Sequence, residues 1–367
     1  MQAEIVVLPG DGVGPEVMDE AVRVLEAVAD LAGHDFSFRE LLVGGAAIAE
    51  TSHPLPEETL RACRTADGVL LAAVGGPPVR IRPNEEPVRP EQGLLGLRRE
   101  LGVYANLRPV RVYPQLLGAS PLRDEQGAGV NLVIVRELTG GLYFGDRMEA
   151  GAELTDDTTA YDTMVYQARE VERIAHVGFK LAAKRRRNVV SVDKANVLAS
   201  SRLWRRVVER TAAAYADVEC ESMLVDAAAM HLLRRPKTFD VVLTANLFGD
   251  ILADEASMLV GSLAMLPSAS LSDEGPGLFE PVHGSAPDLA GQGVANPIGM
   301  ILSGAMFLRH GLGLEAEAKT VEEAVERVLD DGWRTQDLAV NGQSAVGTRE
   351  FGDLVLGALN AGGEGGE

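Results

Sequence analysis

Short apolar runs alternate along this chain with longer stretches in which apolar residues recur every three or four positions. The apolar runs predict strands at 5–8, 69–74, 132–135, 189–192 and 241–244. The periodic stretches predict helices at 15–32, 57–66, 170–187, 202–215, 225–234, 249–259 and 321–329. Strands that alternate with helices in this way indicate an α/β fold with a largely parallel sheet.

Two segments rich in glycine or proline interrupt this pattern. Residues 75–90 contain five prolines, which predicts an irregular loop. Residues 10–15, Gly-Asp-Gly-Val-Gly-Pro, follow a strand and open a helix, as a dinucleotide-binding turn does. Their spacing is GxGxG rather than GxGxxG, and a tight turn with proline in the first helical turn explains it equally well. The glycines alone therefore do not establish a Rossmann fold.

Composition narrows the range of functions. No apolar run approaches 18 residues and the N-terminus has no basic segment, so we expect neither a membrane span nor a signal peptide, and a cytoplasmic location. The net charge of −20 argues against a nucleic-acid partner. The basic run 184–187 is interpreted as a solvated helix end. Cys63 and Cys220 are far apart in the sequence and are expected to be packing residues in a reducing compartment.

An acidic pair lies on one predicted helix. Asp250 and Asp254 are four residues apart and share a helical face whose flanking positions, including Ile251 and Leu252, are apolar. Two carboxylates beside a buried surface need a counter-charge, and oxygen ligands suit Mg²⁺ or Mn²⁺. A solvated first helical turn is the alternative for this pair. Asp226, which opens another apolar helix, is a candidate third ligand or an ordinary charge at a helix N-terminus.

Several other side chains have the chemistry of a site that binds a dicarboxylic acid. Arg98, Arg108 and Arg136 each lie where an apolar run meets a loop, and arginine binds carboxylates through two parallel hydrogen bonds. Lys194 directly follows a predicted strand, where ligands bind in open α/β sheets. Tyr143 lies in a glycine-rich aromatic stretch. Taken singly, each of these residues also fits an ordinary surface or loop position.

Seven motifs occur together in one order over about residues 4–310. They are LPGDGVGPEV at 8–17, LLGLRRELGVYANLRP at 94–109, VRELTGGLYFG at 135–145, VSVDKANVL at 190–198, LVDAAAMHL at 224–232, NLFGDILADEASMLVGSL at 246–263 and FEPVHGSAPDLAGQGVANP at 279–297. Jointly they resemble the β-decarboxylating dehydrogenases of the isocitrate/isopropylmalate dehydrogenase family.

The resemblance implies an α/β fold of two lobes with a mixed sheet, which is not a Rossmann fold. One lobe would combine 1–103 and 261–367 on the cofactor-binding side. The other, 104–260, would contain the homodimer contacts and an arm near 140–165. The active site would lie between the lobes and take Lys194 and Asp226 from the partner subunit.

The resemblance also implies a role for each candidate. Asp250, Asp254 and the partner's Asp226 would hold Mg²⁺ or Mn²⁺, which acts as a Lewis acid on the substrate, and Asp226 would also contact the substrate. Lys194 would accept or relay the hydroxyl proton as hydride leaves for NAD, and Tyr143 would protonate carbon after CO₂ is lost. The three arginines would bind the substrate carboxylates.

NAD would bind to a second group of residues: Val13, Gly75, Gly76, His283, Gly284, Ser285, Ala286, Asp288 and Asn296. Asp288 would accept hydrogen bonds from the ribose hydroxyls, which favours NAD over NADP. Loop 77–90 departs from the family pattern, because it is unusually rich in proline and lacks the usual Lys-Trp pair.

The segment before Arg98 bears on the choice of substrate. Glu91, Leu94 and Leu95, with Val197, match residues that face the branched alkyl group of 3-isopropylmalate, an intermediate of leucine biosynthesis. Homoisocitrate, isocitrate, D-malate and tartrate are the alternative substrates. A non-catalytic, effector-binding subunit of the same fold is a second alternative, although such subunits typically lose part of the catalytic set that this chain retains.

Overall fold

The computed structural model describes residues 1–81, 87–150, 154–340 and 342–363. The strands in these residues are β1 (Gln2–Gly10), β2 (Asp35–Glu40), β3 (Gly68–Ala73), β4 (Ala105–Arg111), β5 (Asn131–Glu137), β6 (Arg147–Met148), β7 (Tyr161–Asp162), β8 (Asn188–Asp193), β9 (Glu219–Leu224), β10 (Val241–Thr244), β11 (Pro267–Leu271) and β12 (Leu278–Pro281). The helices are α1 (Gly14–Ala32), α2 (Gly44–Thr51), α3 (Glu57–Thr65), α4 (Glu91–Glu100), α5 (Asp124–Gly127), α6 (Ala168–Ala183), α7 (Ala199–Ala212), α8 (Val225–Arg234), α9 (Asn246–Ser257), α10 (Ile298–Met306), α11 (Glu315–Asp330) and α12 (Thr348–Gly363). No helix in the described part of the chain is long and apolar enough to cross a bilayer.

The chain divides into two compact units. Unit 1 comprises Met1–Val103, Arg111–Gly129 and Ser257–Glu367, and unit 2 comprises Tyr104–Val110 and Val130–Ala256. The sequence-based division assigned 111–129 to the second lobe, whereas the structure places this segment in unit 1. There Arg111 pairs with Glu326 at 2.7 Å, and Arg334 donates to the carbonyl of Gln115 at 2.8 Å.

Unit 1 is built on five strands in the order β2–β1–β3–β12–β11. The pairs β1–β2, β1–β3 and β3–β12 are parallel and β11–β12 is antiparallel, so this sheet is mixed. Helices α1, α10, α11 and α12 pack on one another and α1 covers β1 and β3. A second core joins Val6, Leu8 and Leu71 to side chains of α3 and α4. Because both sheet faces are covered, residues 5–8 of β1 and all residues of β3 are buried without alternation.

Unit 2 contains strands in the order β4–β5–β10–β8–β9. The pairs β5–β10, β10–β8 and β8–β9 are parallel. Helix α6 packs on β5, β10 and β8, while α7 packs on β8 and β9. The buried Trp204 of α7 donates its indole N–H to the hydroxyl of Ser191 on β8 at 3.2 Å. The parallel pairs confirm the prediction of a largely parallel α/β sheet.

All the predicted strands and helices occur; β10 and α8 have the predicted ends, and the other elements begin or end at different residues. Helix α1 has Pro15 in its first turn, and Gly10 and Gly12 have φ of 71° and 62°, so residues 10–15 form the tight turn described above. Helix α6 stops at Ala183 rather than at 187. Arg187 is left-handed (φ 60°) and Arg185 pairs with Asp240 at 2.8 Å, so the basic run folds back instead of ending a helix in solvent.

Three further expectations need correction or fall partly outside the described residues. Loop 75–90 is not wholly irregular, because Val79 and Val88 form an antiparallel bridge, while 82–86 lie outside the described residues. In the predicted arm, β6 and β7 pair antiparallel, and 151–153 lie outside the described residues. Cys63 is fully buried, but Cys220 is exposed and is therefore not a packing residue.

Candidate active site

Helix α9 of unit 2 presents the two candidate metal ligands. Asp250 and Asp254 lie one turn apart, and their side chains are 33% and 59% exposed. Burial, followed by the negative charge of Asp250, raises the pKa of Asp254. Leu252 and Ala256 on the same helix are buried, whereas Ile251 is exposed, contrary to the expectation of an apolar flank on the core side. The two carboxylates thus form an acidic pair that solvent can reach.

Two arginines of unit 2 approach this acidic pair from neighbouring strands. Arg136, at the end of β5, is buried and donates through Nη1 to Oδ1 of Asp250 at 2.5 Å. Arg108 lies within β4 rather than at a junction with a loop. Its Nη1 is 3.4 Å from Asp250 and 3.8 Å from Asp254, and its Nε donates to Asn106 at 2.8 Å. The arginines therefore balance the charge of the carboxylates.

Tyr143 completes this cluster. It ends a short 3₁₀ turn, Gly141–Tyr143, and its hydroxyl donates to Oδ2 of Asp250 at 2.9 Å. The Arg136 guanidinium lies 5.7 Å from the centre of the Tyr143 ring. Burial and then the charge of Asp250 raise the pKa of Tyr143, so the phenol is held in its protonated form. The structure therefore brings Arg108, Arg136, Tyr143, Asp250 and Asp254 together.

Lys194 and Asp226 form a separate pair in unit 2. Lys194 directly follows β8, Asp226 lies in the first turn of α8, and their charged groups are 2.9 Å apart. The hydrogen bond from Lys194 lowers the pKa of Asp226. Buried Asp193 supports the turn that carries Lys194, because its Oδ1 accepts a hydrogen bond from the Ala195 N–H at 2.9 Å. Arg205 of α7 in turn donates to Asp193 through Nε and Nη2 at 2.8 Å. Within the described residues, no group of three or more His, Cys, Asp or Glu side chains could hold a metal, so Asp226 does not join Asp250 and Asp254 within one chain.

In unit 1, the candidate substrate residues lie on helix α4. Glu91, Leu94, Leu95 and Arg98 are spaced i, i+3, i+4 and i+7, so they share one helical face. Arg98 is buried and donates through Nη2 to Glu280 at 2.7 Å, while its Nε has no hydrogen-bond partner in the described part of the chain. The other residue of this predicted set, Val197, is in unit 2 and is 63% exposed.

Also in unit 1, two loops bring most of the candidate cofactor residues together. Val13 N–H donates to the Ser285 carbonyl at 2.8 Å. A Cβ at Gly12 would lie only 1.9 Å from that oxygen, so this turn requires glycine. A Cβ on Gly75 would lie 3.2 Å from the Ser285 hydroxyl and 3.5 Å from the Glu91 carboxylate, which makes Gly75 a neighbour of both.

The rest of the cofactor set differs in surroundings. Gly284 faces open space, Ala286 has φ of 38° and Asp288 is exposed. The buried Nε2 of His283 has no hydrogen-bond partner in the described part of the chain. Asn296 has internal partners instead, because its amide donates to Asp337 at 3.0 Å and accepts from Ile298 N–H at 2.9 Å. A Cβ on Gly76 would lie 3.8 Å from Cγ of Pro90, so there is room for a small side chain at this position.

A family model described as isocitrate/isopropylmalate dehydrogenase matches residues 4–355. The 3-isopropylmalate dehydrogenase of Halalkalibacterium halodurans is 56% identical over 361 residues, which are 98% of this chain and 99% of that protein. The 3-isopropylmalate dehydrogenase of Bacillus subtilis is 57% identical over 339 residues, which are 92% of each chain. The chain belongs to the isocitrate/isopropylmalate dehydrogenase family.

Solved structures of family members have the same fold. Isocitrate dehydrogenase from Methylococcus capsulatus superposes with a TM-score of 0.84 at 34% identity, over 97% of this chain and 99% of that one. A β-decarboxylating dehydrogenase from Thermococcus kodakarensis gives 0.77 at 36% identity, over 98% and 96%. The expected family and its mixed α/β fold are therefore confirmed, and the chain is a dehydrogenase.

Three polar residues of this dehydrogenase support the candidate site, although the sequence patterns had not singled them out. Asp11 accepts hydrogen bonds from the backbone N–H groups of Gly45, Ala46 and Gly75 at 2.8–3.0 Å. Glu16 binds the backbone N–H groups of Gly291 and Gly293 in the cofactor loop. Asn246 bonds to Arg136 and to the loop before Tyr143. Their presence in the 8–17 and 246–263 motifs was the available signal.

Proposed function

We propose that this dehydrogenase converts 3-isopropylmalate to 4-methyl-2-oxopentanoate and CO₂ in leucine biosynthesis, with NAD as the oxidant and Mg²⁺ or Mn²⁺ as the metal. The observation that carries the proposal is the unit 2 cluster, in which a carboxylate pair on α9 meets Arg108, Arg136 and Tyr143. This set combines anion binding, a hard-cation site and a protonated acid. Relatives named 3-isopropylmalate dehydrogenase at 56–57% identity favour this substrate.

The donor atoms at α9 fit a divalent cation. Asp250 and Asp254 offer hard oxygen atoms from one helical face, and solvent reaches both carboxylates. Burial and the charge of Asp250 raise the pKa of Asp254, so a cation bound beside the two carboxylates would favour the ionised form of Asp254. We propose that Mg²⁺ or Mn²⁺ binds these two aspartates, with further oxygen ligands from the substrate and from Asp226 of the partner subunit.

The cofactor loop fits a dinucleotide. No protein atom lies within 4 Å of the position that a Cβ on Gly284 would take, so a ligand can approach the backbone there. His283 has a buried ring nitrogen without a protein partner, and Asp288 is an exposed carboxylate suited to ribose hydroxyls. We propose that NAD binds along this loop, Val13 and the 75–76 turn.

Residues of the chain are proposed to bind the substrate carboxylates and to transfer the two protons of the reaction. When bound, the metal supplies a Lewis acid beside the substrate C2 oxygen and NAD supplies the acceptor for the C2 hydride. Arg98, Arg108 and Arg136 bind the two carboxylates. Lys194 of the partner subunit accepts the C2 hydroxyl proton. After the C3 carboxylate leaves as CO₂, Tyr143 donates a proton to C3, so no net proton is released.

The functional unit is proposed to be a homodimer that shares its active sites. Helices α8 and α9 expose large apolar side chains, with Met230 62% and Ile251 57% exposed. Val197, Met148 and Tyr161 are exposed as well. A second copy of the chain that covers this apolar surface would explain its exposure. Such a copy would also supply Lys194 and Asp226, which lie apart from the acidic pair in one chain.

Substrate choice is proposed to depend on the α4 face. The apolar Leu94 and Leu95 would contact the isopropyl group, whose three carbons are worth about 2 kcal/mol of binding at roughly 0.8 kcal/mol per carbon. D-malate lacks this group and should lose about thirtyfold in kcat/KM by the same energy. Isocitrate would bring a carboxylate against the leucines and Glu91, and it should be a far poorer substrate.

The deciding experiment is a comparison of kcat/KM for 3-isopropylmalate, D-malate, isocitrate, homoisocitrate and tartrate, with NADH formation as the readout. We expect 3-isopropylmalate to exceed every other compound. A higher kcat/KM for isocitrate or homoisocitrate would reject the assignment to 3-isopropylmalate. Absence of turnover with all five compounds, in a folded and metal-loaded protein, would favour the non-catalytic alternative.

A further inference from the structure

Asn246, the first residue of α9, uses every polar group of its side chain in hydrogen bonds to the rest of the site. Its Oδ1 accepts from Nε and Nη2 of Arg136 at 3.2 and 2.8 Å. Its Nδ2 donates to the carbonyls of Leu138 and Gly140 at 3.0 and 3.1 Å. The side chain is buried, so these partners replace water completely.

The two ends of this amide hold two different parts of the cluster. On the acceptor side, Arg136 is held in the orientation that directs Nη1 to Asp250. On the donor side, Leu138 and Gly140 begin the turn that carries Tyr143, whose hydroxyl reaches the other oxygen of Asp250. One side chain therefore connects the arginine and the tyrosine that flank the same carboxylate.

Only an amide of this length satisfies both sides. Aspartate has the same shape but has no N–H group to donate to the carbonyls of Leu138 and Gly140. One of its carboxylate oxygens would instead face these two carbonyl oxygens in a buried position, which is unfavourable. Alanine removes all the side-chain bonds. Helix packing adds a constraint, because a Cβ on Gly249 would lie 2.7 Å from Cγ of Arg136, so α9 already holds the stem of this arginine closely.

We propose that Asn246 is a positioning residue that sets Arg136 and the Tyr143 turn together, so that anion binding and proton donation depend on one amide. The inference rests on the proposed function, in which Arg136 binds a carboxylate and Tyr143 protonates carbon. It predicts that loss of the amide reduces both functions, whereas loss of either partner residue reduces only its own.

The test is kinetic and uses the full-length dimer loaded with metal. Asn246→Ala and Asn246→Asp should raise KM for the hydroxy acid and lower kcat, with kcat/KM falling about a hundredfold, the typical cost of a misplacement near 1 Å. Tyr143→Phe should lower kcat while KM for the hydroxy acid stays near the wild-type value. The double variant Asn246→Ala/Tyr143→Phe should have a kcat close to that of Tyr143→Phe alone, because the turn then has no acid to position.

Tyr166→Phe separates positioning from simple destabilisation. The Tyr166 hydroxyl accepts a hydrogen bond from the backbone N–H of Asn246 at 2.8 Å. Removal of this hydroxyl leaves the buried N–H without a partner but keeps all the hydrogen bonds of the Asn246 side chain. We expect Tyr166→Phe to lower Tm while kcat and KM stay near the wild-type values. If Asn246→Ala behaves in the same way, or if the kcat losses multiply in the double variant, Asn246 is only structural and the proposal is overturned.

A binding measurement tests the role of Asn246 even if the proposed substrate is wrong. If another 2-hydroxy acid proves to be the substrate, the same series is measured with it. If none is turned over, calorimetry with malonate measures the anion site alone. Asn246→Asp should then weaken malonate binding relative to wild type and Tyr166→Phe, and equal affinities in all three proteins would overturn the positioning role.

Discussion

The hydroxyl of Tyr143 donates to Oδ2 of Asp250 at 2.9 Å, while the other oxygen of this carboxylate accepts from Arg136. Burial and the charge of Asp250 raise the pKa of Tyr143, so the tyrosine retains its proton at neutral pH. The proposed protonation of C3 needs an acid of this kind, and Tyr143 lies beside a candidate metal ligand.

Removal of this hydroxyl should therefore stop catalysis without harm to the fold. We expect Tyr143→Phe to lower kcat by about 10²–10⁴-fold, the usual contribution of a general acid. NADH formation under substrate saturation measures the effect. Tyr215→Phe is a matched control, because it also removes a tyrosine hydroxyl, one whose hydrogen-bond partner in the described part of the chain is His176. Similar kcat values for the two variants would exclude Tyr143 as the proton donor.

The acidic pair predicts metal dependence. We expect EDTA to abolish turnover and Mg²⁺ or Mn²⁺ to restore it, and Asp250→Asn to lower kcat by several orders of magnitude. Binding of Mn²⁺, followed by electron paramagnetic resonance, should weaken strongly in Asp250→Asn and Asp254→Asn but not in Asp217→Asn, which changes an exposed aspartate. Full activity in rigorously metal-free protein would contradict the metal site.

The separation of the Lys194–Asp226 pair from Asp250 and Asp254 predicts complementation between inactive variants. Lys194→Ala and Asp250→Asn should each be inactive, and their heterodimer should contain one site with both residues intact. Random exchange of equal amounts should restore about a quarter of wild-type activity, since half of the dimers are mixed and each has one working site. Subunit exchange can be followed by native mass spectrometry. If exchange occurs and activity does not return, each site uses residues of one chain.

Asp288 predicts the preference for the cofactor. Its exposed carboxylate should accept hydrogen bonds from the ribose hydroxyls of NAD and repel the 2′-phosphate of NADP. We therefore expect kcat/KM to favour NAD over NADP by at least about a hundredfold. Asp288→Arg should reduce or invert this ratio, whereas Glu274→Arg, the same change of charge sign at another exposed position of unit 1, should not. Equal use of NAD and NADP by the wild type would be inconsistent with this role.

The two cysteines should differ sharply in reactivity. Burial raises the pKa of Cys63 to about 12, so at pH 8 only about one thiol in 10⁴ is ionised, and the side chain is also inaccessible. In the native protein an alkylating agent should label Cys220 alone, and Cys63 only after denaturation. Below its pKa, the thiolate fraction of Cys63 rises tenfold per pH unit. Peptide mass spectrometry identifies the site, and rapid labelling of native Cys63 would show that this core opens.

Local patterns predicted about half of the helices and strands that the structure describes. Strand β10 and helix α8 have the predicted ends, because apolar periodicity and flanking polar residues define both. Strands β11 and β12 were missed, since Pro267–Leu271 and Leu278–Pro281 are short and are stabilised by each other and by β3 rather than by their own pattern. Helix α10 was also missed because every one of its residues is buried, which removes the polar face that marks a helix.

The sequence indicated which functional groups the site contains, but it did not indicate which groups form hydrogen bonds with one another. Residue type and spacing made Asp250, Asp254, Tyr143 and the arginines candidates, and the family resemblance gave each of them an expected role. The roles of Asp11, Glu16 and Asn246 depend on partners from distant parts of the chain: backbone N–H groups for Asp11 and Glu16, and backbone carbonyls and Arg136 for Asn246. Backbone groups are the same in every residue except proline, so no local pattern reveals which side chain will bind them. Only the tertiary structure decides those contacts, because it brings residues that are 34 to 277 positions apart in the sequence within hydrogen-bonding distance.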